Sequence, residues 1–126
     1  MPQDYKHFEV SQVGDITLLK LVDPKLFETM IVSELQDELV TFVETLRPKK
    51  VLVSFELVTH CSTAVINGLL RAKKRVLADK GCLKLCGMTD TIRDAYKMLN
   101  LDGTVFEIYD DSDGAVKSFV ESTTEA

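Results

Sequence analysis

The feature that most constrains the fold is an alternation of short apolar runs with helix-like segments along the chain. Residues 51–55 (VLVSF) form a nearly continuous apolar run, typical of a central strand that is covered on its faces. Residues 35–46 before this run and 66–77 after it carry apolar side chains at three- and four-residue steps, which predicts helices. Strands that alternate with helices are joined as parallel neighbours by right-handed crossovers. The pattern therefore predicts an α/β fold.

The predicted order of elements is β-β-α-β-α-β-α-β-α. Residues 8–13 and 16–22 form a hairpin around Gly14-Asp15. The next helix begins either at a capping box at residue 33 or near Thr29, and Pro48 ends it. Further strands are predicted at residues 51–55, 82–86 and 104–109, and further helices at 63–80, 89–99 and from 110 onward. We expect one domain over residues 1–126, with four to five helices on a mixed, mostly parallel sheet.

Composition and charge exclude several classes of protein. The 126 residues are 45% hydrophobic and 28% charged, as in ordinary globular domains, and no apolar run reaches the roughly 18–20 residues of a membrane span. The N-terminus lacks the layout of a signal peptide, so the predicted location is the cytoplasm. The net charge is −5, and the basic residues at positions 71–75 are interpreted as a solvated helix face. We expect neither nucleic acid nor a membrane as a partner.

The cysteines and histidines do not form a recognisable metal or disulfide framework. Three cysteines are an odd number in a chain without a secretion signal, which favours reduced thiols. His7 and His60 are isolated from each other and from a cysteine pair, so no metal and no cofactor is predicted. Phe27 and Met30, between the hairpin and the first long helix, are interpreted as packing residues.

Residues 60–64 (HCSTA) follow the apolar run at 51–55 and precede a helix. Function in such folds concentrates beyond the C-terminal ends of parallel strands. A thiol-phosphatase loop needs an arginine six residues after its cysteine, but Asn67 follows Cys61 and Ile92 follows Cys86 at that spacing. A phosphorylated-aspartate site needs an early acidic pair, which is absent. We therefore predict no catalytic residue and no enzyme activity.

The hydroxyl groups of this segment allow a structural and a regulatory interpretation. Ser62 or Thr63 can cap the following helix, a contribution of about 1 kcal/mol. A phosphate added at the same place would meet free backbone amides and the positive end of the helix dipole. A docked partner would then encounter new negative charge, so the segment can act as a switch without catalysis.

The same segments resemble those of a known family. The resemblance rests on the element order and on four stretches: residues 51–58, residues 62–70, residues 80–86 (KGCLKLC) and residues 92–108. Together they are similar to the STAS domain of bacterial anti-sigma factor antagonists. The resemblance implies a STAS-like domain with its core at residues 8–120.

The resemblance also implies a regulatory site at the strand–helix joint. Family members carry Asp-Ser-Ser-Gly-Leu-Gly there, and a partner anti-sigma kinase phosphorylates one of the serines. On this chain Ser62 takes the place of the aspartate, Thr63 that of the first serine and Ala64 that of the usual acceptor. Asn67 replaces the last glycine. Ala64 has no hydroxyl, so the candidate acceptors are Thr63 and Ser62.

These observations predict a regulatory interaction module, an anti-sigma factor antagonist or a related STAS regulator. Its expected partner is an anti-sigma factor with serine-protein kinase activity, or another protein of a STAS pathway. The alternative is a sensory module that binds a nucleotide or small ligand. The residues predicted to meet a partner are Thr59, His60, Cys61, Ser62, Thr63, Ala64, Asn67, Met88, Thr89 and Asp90.

Overall fold

The computed structural model describes residues 5–124 and confirms the α/β class with four helices. The strands are β1 (Phe8–Val13), β2 (Ile16–Leu21), β3 (Lys25–Leu26), β4 (Lys50–Ser54), β5 (His60–Cys61), β6 (Cys82–Cys86) and β7 (Ile108–Tyr109). The helices are α1 (Thr29–Leu46), α2 (Val65–Ala78), α3 (Asp90–Met98) and α4 (Ser112–Thr124). The predicted domain limits also include residues 1–4 and 125–126, which lie outside the described residues.

The main sheet has five strands in the order β1-β2-β4-β6-β7. The β1–β2 hairpin is antiparallel, and every other pairing in this sheet is parallel, so the predicted mixed, mostly parallel sheet is confirmed. In β4, the buried Val51 and Val53 point to one face of the sheet and Leu52 to the other. Burial of both faces explains why this strand is nearly continuously apolar in sequence.

The helices cover the two faces of the sheet unequally. One face packs against α1, α2 and α3, whose buried residues share a core with Val51 and Val53. The opposite face packs against α4, where Ala115 and Phe119 meet Leu52. The larger core therefore lies on the side where α2 begins.

A second sheet of two short strands was not predicted. β3 pairs in parallel with β5, so that Lys25 lies opposite His60 and Leu26 opposite Cys61. Two-residue strands are too short to give an alternating pattern, which is why the sequence does not reveal them. This pairing brings the corner after the hairpin beside residues 60–64.

The bounds of two predicted elements were wrong, and one open alternative was decided. The last strand is confined to Ile108–Tyr109, because residues 102–106 turn back on themselves: Gly103 has a φ of 84° and donates a hydrogen bond of 2.8 Å to the Phe106 carbonyl. Helix α1 begins at Thr29, the earlier of the two predicted starts. Helix α2 begins at Val65, two residues later than expected.

Candidate functional site

The predicted site residues around the β5–α2 joint differ in exposure. Cys61 and Ser62 are half-buried. The exposed members of the set are Thr59, His60, Thr63, Ala64 and Asn67. The exposed residues therefore lie on both sides of the half-buried pair Cys61–Ser62.

Backbone hydrogen bonds fix this segment to the corner that follows the hairpin. The Pro24 carbonyl accepts hydrogen bonds from the backbone amides of Thr59, at 2.7 Å, and His60, at 3.0 Å. The Thr59 hydroxyl donates to the same carbonyl at 3.0 Å. On the other side of the segment, the Ser62 amide donates to the Leu26 carbonyl at 2.7 Å. The joint is thus held by residues far away in the sequence.

The start of α2 differs from the prediction that Ser62 or Thr63 caps the helix. Ala64 occupies the N-cap position, and no side chain caps the helix. The Ser62 hydroxyl instead accepts a hydrogen bond of 3.1 Å from the Ala64 amide. The amides of Val65 and Ile66 donate to the carbonyls of Ser62 and Thr63. The expectation of free amides was therefore wrong at these positions, because tight turns already use them.

The two candidate acceptor hydroxyls have different surroundings. Ser62 is half-buried and its oxygen is occupied by the Ala64 amide. Thr63 is exposed, and its hydroxyl forms no hydrogen bond with any residue that the structure describes. Of the two, Thr63 is the hydroxyl that another protein can reach.

A cleft of about 180 Å³ lies between the beginning of α1 and the joint. The Gln36 side chain crosses from α1 and donates a hydrogen bond of 2.6 Å to the Ala64 carbonyl. Gln36 was not predicted as a site residue, since a glutamine on a helix gives no sequence signal. The side chains that line the cleft are Phe27, Thr29, Val32, Ser33, Gln36, Ser62 and Ala64.

Phe27 and Met30 are not packing residues, contrary to the interpretation of the sequence. Phe27 is 53% exposed and Met30 72% exposed. The Phe27 ring lies edge-on to the His60 ring, with centroids 6.4 Å apart. The apolar side chain of Phe27 is therefore exposed to solvent directly beside the joint. We call the exposed side chains of Phe27, Thr59, His60, Thr63 and Ala64 the joint face.

Comparison with protein families decides what kind of domain this is. The family model for the STAS domain matches residues 7–115, most of the chain. The chain belongs to the STAS domain family. Thr63 and Ala64 of the joint face belong to the segment for which the sequence resemblance implies a regulatory site.

Solved structures share the fold at low sequence identity. An anti-sigma-factor antagonist (STAS) domain protein from Planctomyces limnophilus is 19% identical, with a TM-score of 0.78 over 90% of this chain and 97% of that one. A variant of RsbS from Moorella thermoacetica is 10% identical, with a TM-score of 0.75 over 94% and 99%. The phosphorylated form of the Bacillus cell fate determinant SpoIIAA is 14% identical, with a TM-score of 0.65 over 89% and 98%. None of the curated proteins compared matches the chain significantly.

The second predicted part of the site follows β6. Met88 is half-buried against the larger core, whereas Thr89 and Asp90 are exposed. The Thr89 hydroxyl accepts a hydrogen bond of 3.2 Å from the Ile92 amide and so caps α3. Gly87 packs against the backbone of Glu56, in the loop between β4 and β5. This STAS domain thus places Met88–Asp90 beside that loop.

The thiols of this STAS domain are poorly suited to nucleophilic chemistry. Burial raises the pKa of Cys61 to about 12. Burial also raises the pKa of Cys86, to about 11, against a hydrogen bond with Ser54 that lowers it. Thiols with such pKa values are protonated at neutral pH, and the thiolate is the reactive form.

Residues 5–124 contain neither a metal-binding cluster nor a membrane-spanning helix. No group of three or more His, Cys, Asp or Glu side chains in this range is arranged to hold a metal ion. None of the helices in this range combines the length and the apolar character needed to cross a membrane.

Proposed function

We propose that this STAS domain is a cytoplasmic regulator of the anti-sigma factor antagonist type that acts by binding another protein through its joint face. The observation that carries the proposal is the exposed Thr63 hydroxyl between Ser62 and Ala64, two residues that line a cleft together with the exposed ring of Phe27. Apolar anchors next to polar groups are typical of protein interfaces. The domain has no catalytic role in this proposal.

The proposed partner is an anti-sigma factor that is also a serine-protein kinase, or another protein of a STAS pathway. The family membership and the fold shared with anti-sigma factor antagonists support this choice. Thr59, His60 and Cys61 would contribute to the contact through a segment that is already ordered, because Pro24 and Leu26 fix its backbone. An ordered segment loses little conformational entropy when a partner binds. Met88, Thr89 and Asp90 would form the second part of the contact.

Thr63 is the proposed phospho-acceptor, and Ser62 is the second candidate. The amides at the start of α2 are already bonded, so a phosphate on Thr63 would not find free donors there. It would instead add about −1.5 to −2 charges to the exposed joint face. An apolar partner surface would then have to bury an unpaired charge, which opposes binding. The proposed switch changes the charge of the joint face without rearranging the fold.

The test is binding to the anti-sigma kinase from the same genome, measured by calorimetry. We expect Phe27→Ser and Thr63→Glu to weaken binding at least tenfold. Leu46→Ser is the matched control, because Leu46 is similarly exposed, at 61%, but lies at the opposite end of α1. Equal affinity for Phe27→Ser and Leu46→Ser would exclude the joint face as the contact.

A second candidate function rests on the cleft beside Ser62. Hydroxyl and amide groups of Thr29, Ser33 and Gln36 line it together with Val32, so a small ligand with polar groups could enter. A thermal-shift screen with nucleotides tests this function. Stabilisation by a nucleotide that Ser33→Leu abolishes, together with no kinase binding, would favour the sensory alternative.

A further inference from the structure

His7 is a buried residue at the centre of a partly exposed cluster of charged groups outside the joint face. Its side chain is 7% exposed. The ring Nδ1 lies 2.5 Å from the Asp23 carboxylate, and the ring Nε2 lies 2.9 Å from the Glu34 carboxylate. A neutral imidazole has one N–H donor, whereas an imidazolium has two. Carboxylates at both nitrogens therefore fit the protonated ring.

Other charged groups around the ring reinforce this arrangement. The Glu38 carboxylate accepts hydrogen bonds from the backbone amides of Lys6, at 2.9 Å, and His7, at 3.0 Å. The Lys6 ammonium lies 3.8 Å from the Glu34 carboxylate. We call His7, Asp23, Glu34 and Glu38 the His7 cluster. It places three acidic groups around one ring, with the Lys6 ammonium at its edge.

The His7 cluster joins elements that also build the joint face. Asp23 directly precedes Pro24, whose carbonyl holds the amides of Thr59 and His60. Glu34 lies in α1, two residues before the Gln36 that holds the Ala64 carbonyl. The ring therefore connects the segment before β1 to both supports of the joint.

The groups around the ring raise the pKa of His7. Burial by itself lowers the pKa of His7, but hydrogen bonds to Glu34 and Asp23 and the charges of Asp23 and Glu38 outweigh it, so the pKa is raised. The pKa of Glu34 is lowered, first by the hydrogen bond that Glu34 forms with His7 and then by the charge of Lys6. Among the described residues, Tyr5 is a further titratable group near the cluster, and its pKa is raised by burial and by the charge of Glu38.

We propose that the His7 cluster is a pH-dependent clamp, in which the charged ring holds Asp23 and α1 together and its deprotonation loosens the Pro24 support of the joint face. With the proton lost, one ring nitrogen presents a lone pair to a carboxylate, and that contact becomes repulsive. Asp23 and Glu34 stay charged, and without the imidazolium their carboxylates must be solvated by water. The corner at Pro24 therefore moves away from α1. The amide of Thr59 reports this movement because it donates to Pro24.

The experiment is an NMR titration of the protein carrying His60→Gln, from about pH 5 to about pH 9. The chain has two histidines, so the remaining imidazole signal belongs to His7. We expect its midpoint to lie above the ordinary value of 6.5. We also expect the Thr59 amide signal to shift with the same midpoint. A His7 midpoint at or below 6.5, or a Thr59 signal that does not follow it, would overturn the proposal.

Two variants separate the clamp from general electrostatic effects. Asp23→Asn in the same background removes one carboxylate from the ring and should lower the His7 midpoint. Asp37→Asn is the matched control, because Asp37 is exposed on α1 and takes no part in the hydrogen bonds and ion pairs of the cluster, so the midpoint should not change. Equal midpoints in the two variants would contradict the clamp. Because no partner protein is used, the outcome is independent of the proposed function.

Discussion

The Gln36 side-chain amide lies 2.6 Å from the Ala64 carbonyl oxygen and ties the middle of α1 to the residue before α2. The two helices approach closely at this point. Gly68, one turn into α2, faces Gln36 with no side chain of its own, and a Cβ there would lie 2.6 Å from Gln36 Cγ and 3.1 Å from Gln36 Cα. The hydrogen bond and the close approach together set the position of the joint face.

Gly68→Ala tests this close approach. Alanine favours a helix over glycine by about 1 kcal/mol, yet the added methyl group would press on the backbone of α1. We expect the variant to be destabilised by about 1–3 kcal/mol, measured by urea unfolding. Lys74→Ala, at an exposed position of the same helix, should change the free energy of unfolding by less than about 0.5 kcal/mol. A Gly68→Ala protein as stable as this control would show that the helices are not in close contact.

Phosphorylation should distinguish the two hydroxyls of the joint. After incubation with the kinase and ATP, we expect intact mass spectrometry to show the addition of one phosphoryl group. Thr63→Val should abolish this addition, whereas Ser62→Ala should retain it, because the Ser62 hydroxyl is half-buried and engaged with the Ala64 amide. Retained modification in Thr63→Val would show that another residue is the phospho-acceptor.

The cysteines should react slowly while the protein is folded. Burial raises the pKa of Cys61 and Cys86, and Cys82 has a raised pKa for the same reason, so few thiolates exist at neutral pH. We expect iodoacetamide at pH about 7.5 to label all three much faster in urea than in buffer, with Cys86 the slowest in the folded protein. Rapid labelling of Cys61 in buffer would contradict this prediction and indicate a reactive thiolate at the joint.

Stability should fall as the pH rises through the range in which His7 titrates. A raised pKa in the folded state contributes stability that is fully present below the unfolded value of 6.5 and is lost as pH rises through the folded pKa. Urea unfolding at about pH 6 and about pH 8 should show this loss, and His7→Gln should reduce it. His60→Gln should retain it. Ionisation of unfolded cysteines adds a separate loss only near and above about pH 8.5. An unchanged loss in His7→Gln would exclude His7 as its source.

The fold class, the hairpin, the long helices and the central strand could be predicted from the sequence. The spacing of apolar residues indicates which face of an element is buried. Residues 51–55 are nearly all apolar, which indicates a strand that is buried on both faces. The family resemblance likewise rested on residues that are close together in the chain. The glycine turn at Gly103 shortened the last strand, and the sequence pattern around it did not reveal this.

The sequence by itself determined that a strand, a hydroxyl-bearing segment and a helix follow one another at residues 50–78. Only the tertiary structure decided which of those groups are available. Pro24 and Leu26 anchor residues 59–62, Gln36 occupies the Ala64 carbonyl, and Phe27 stands exposed beside His60. These contacts join residues about 28 to 36 positions apart, and local patterns carry no information about such pairs. The Thr63 hydroxyl does not cap α2, because the local turn already satisfies the amides that it was expected to cap.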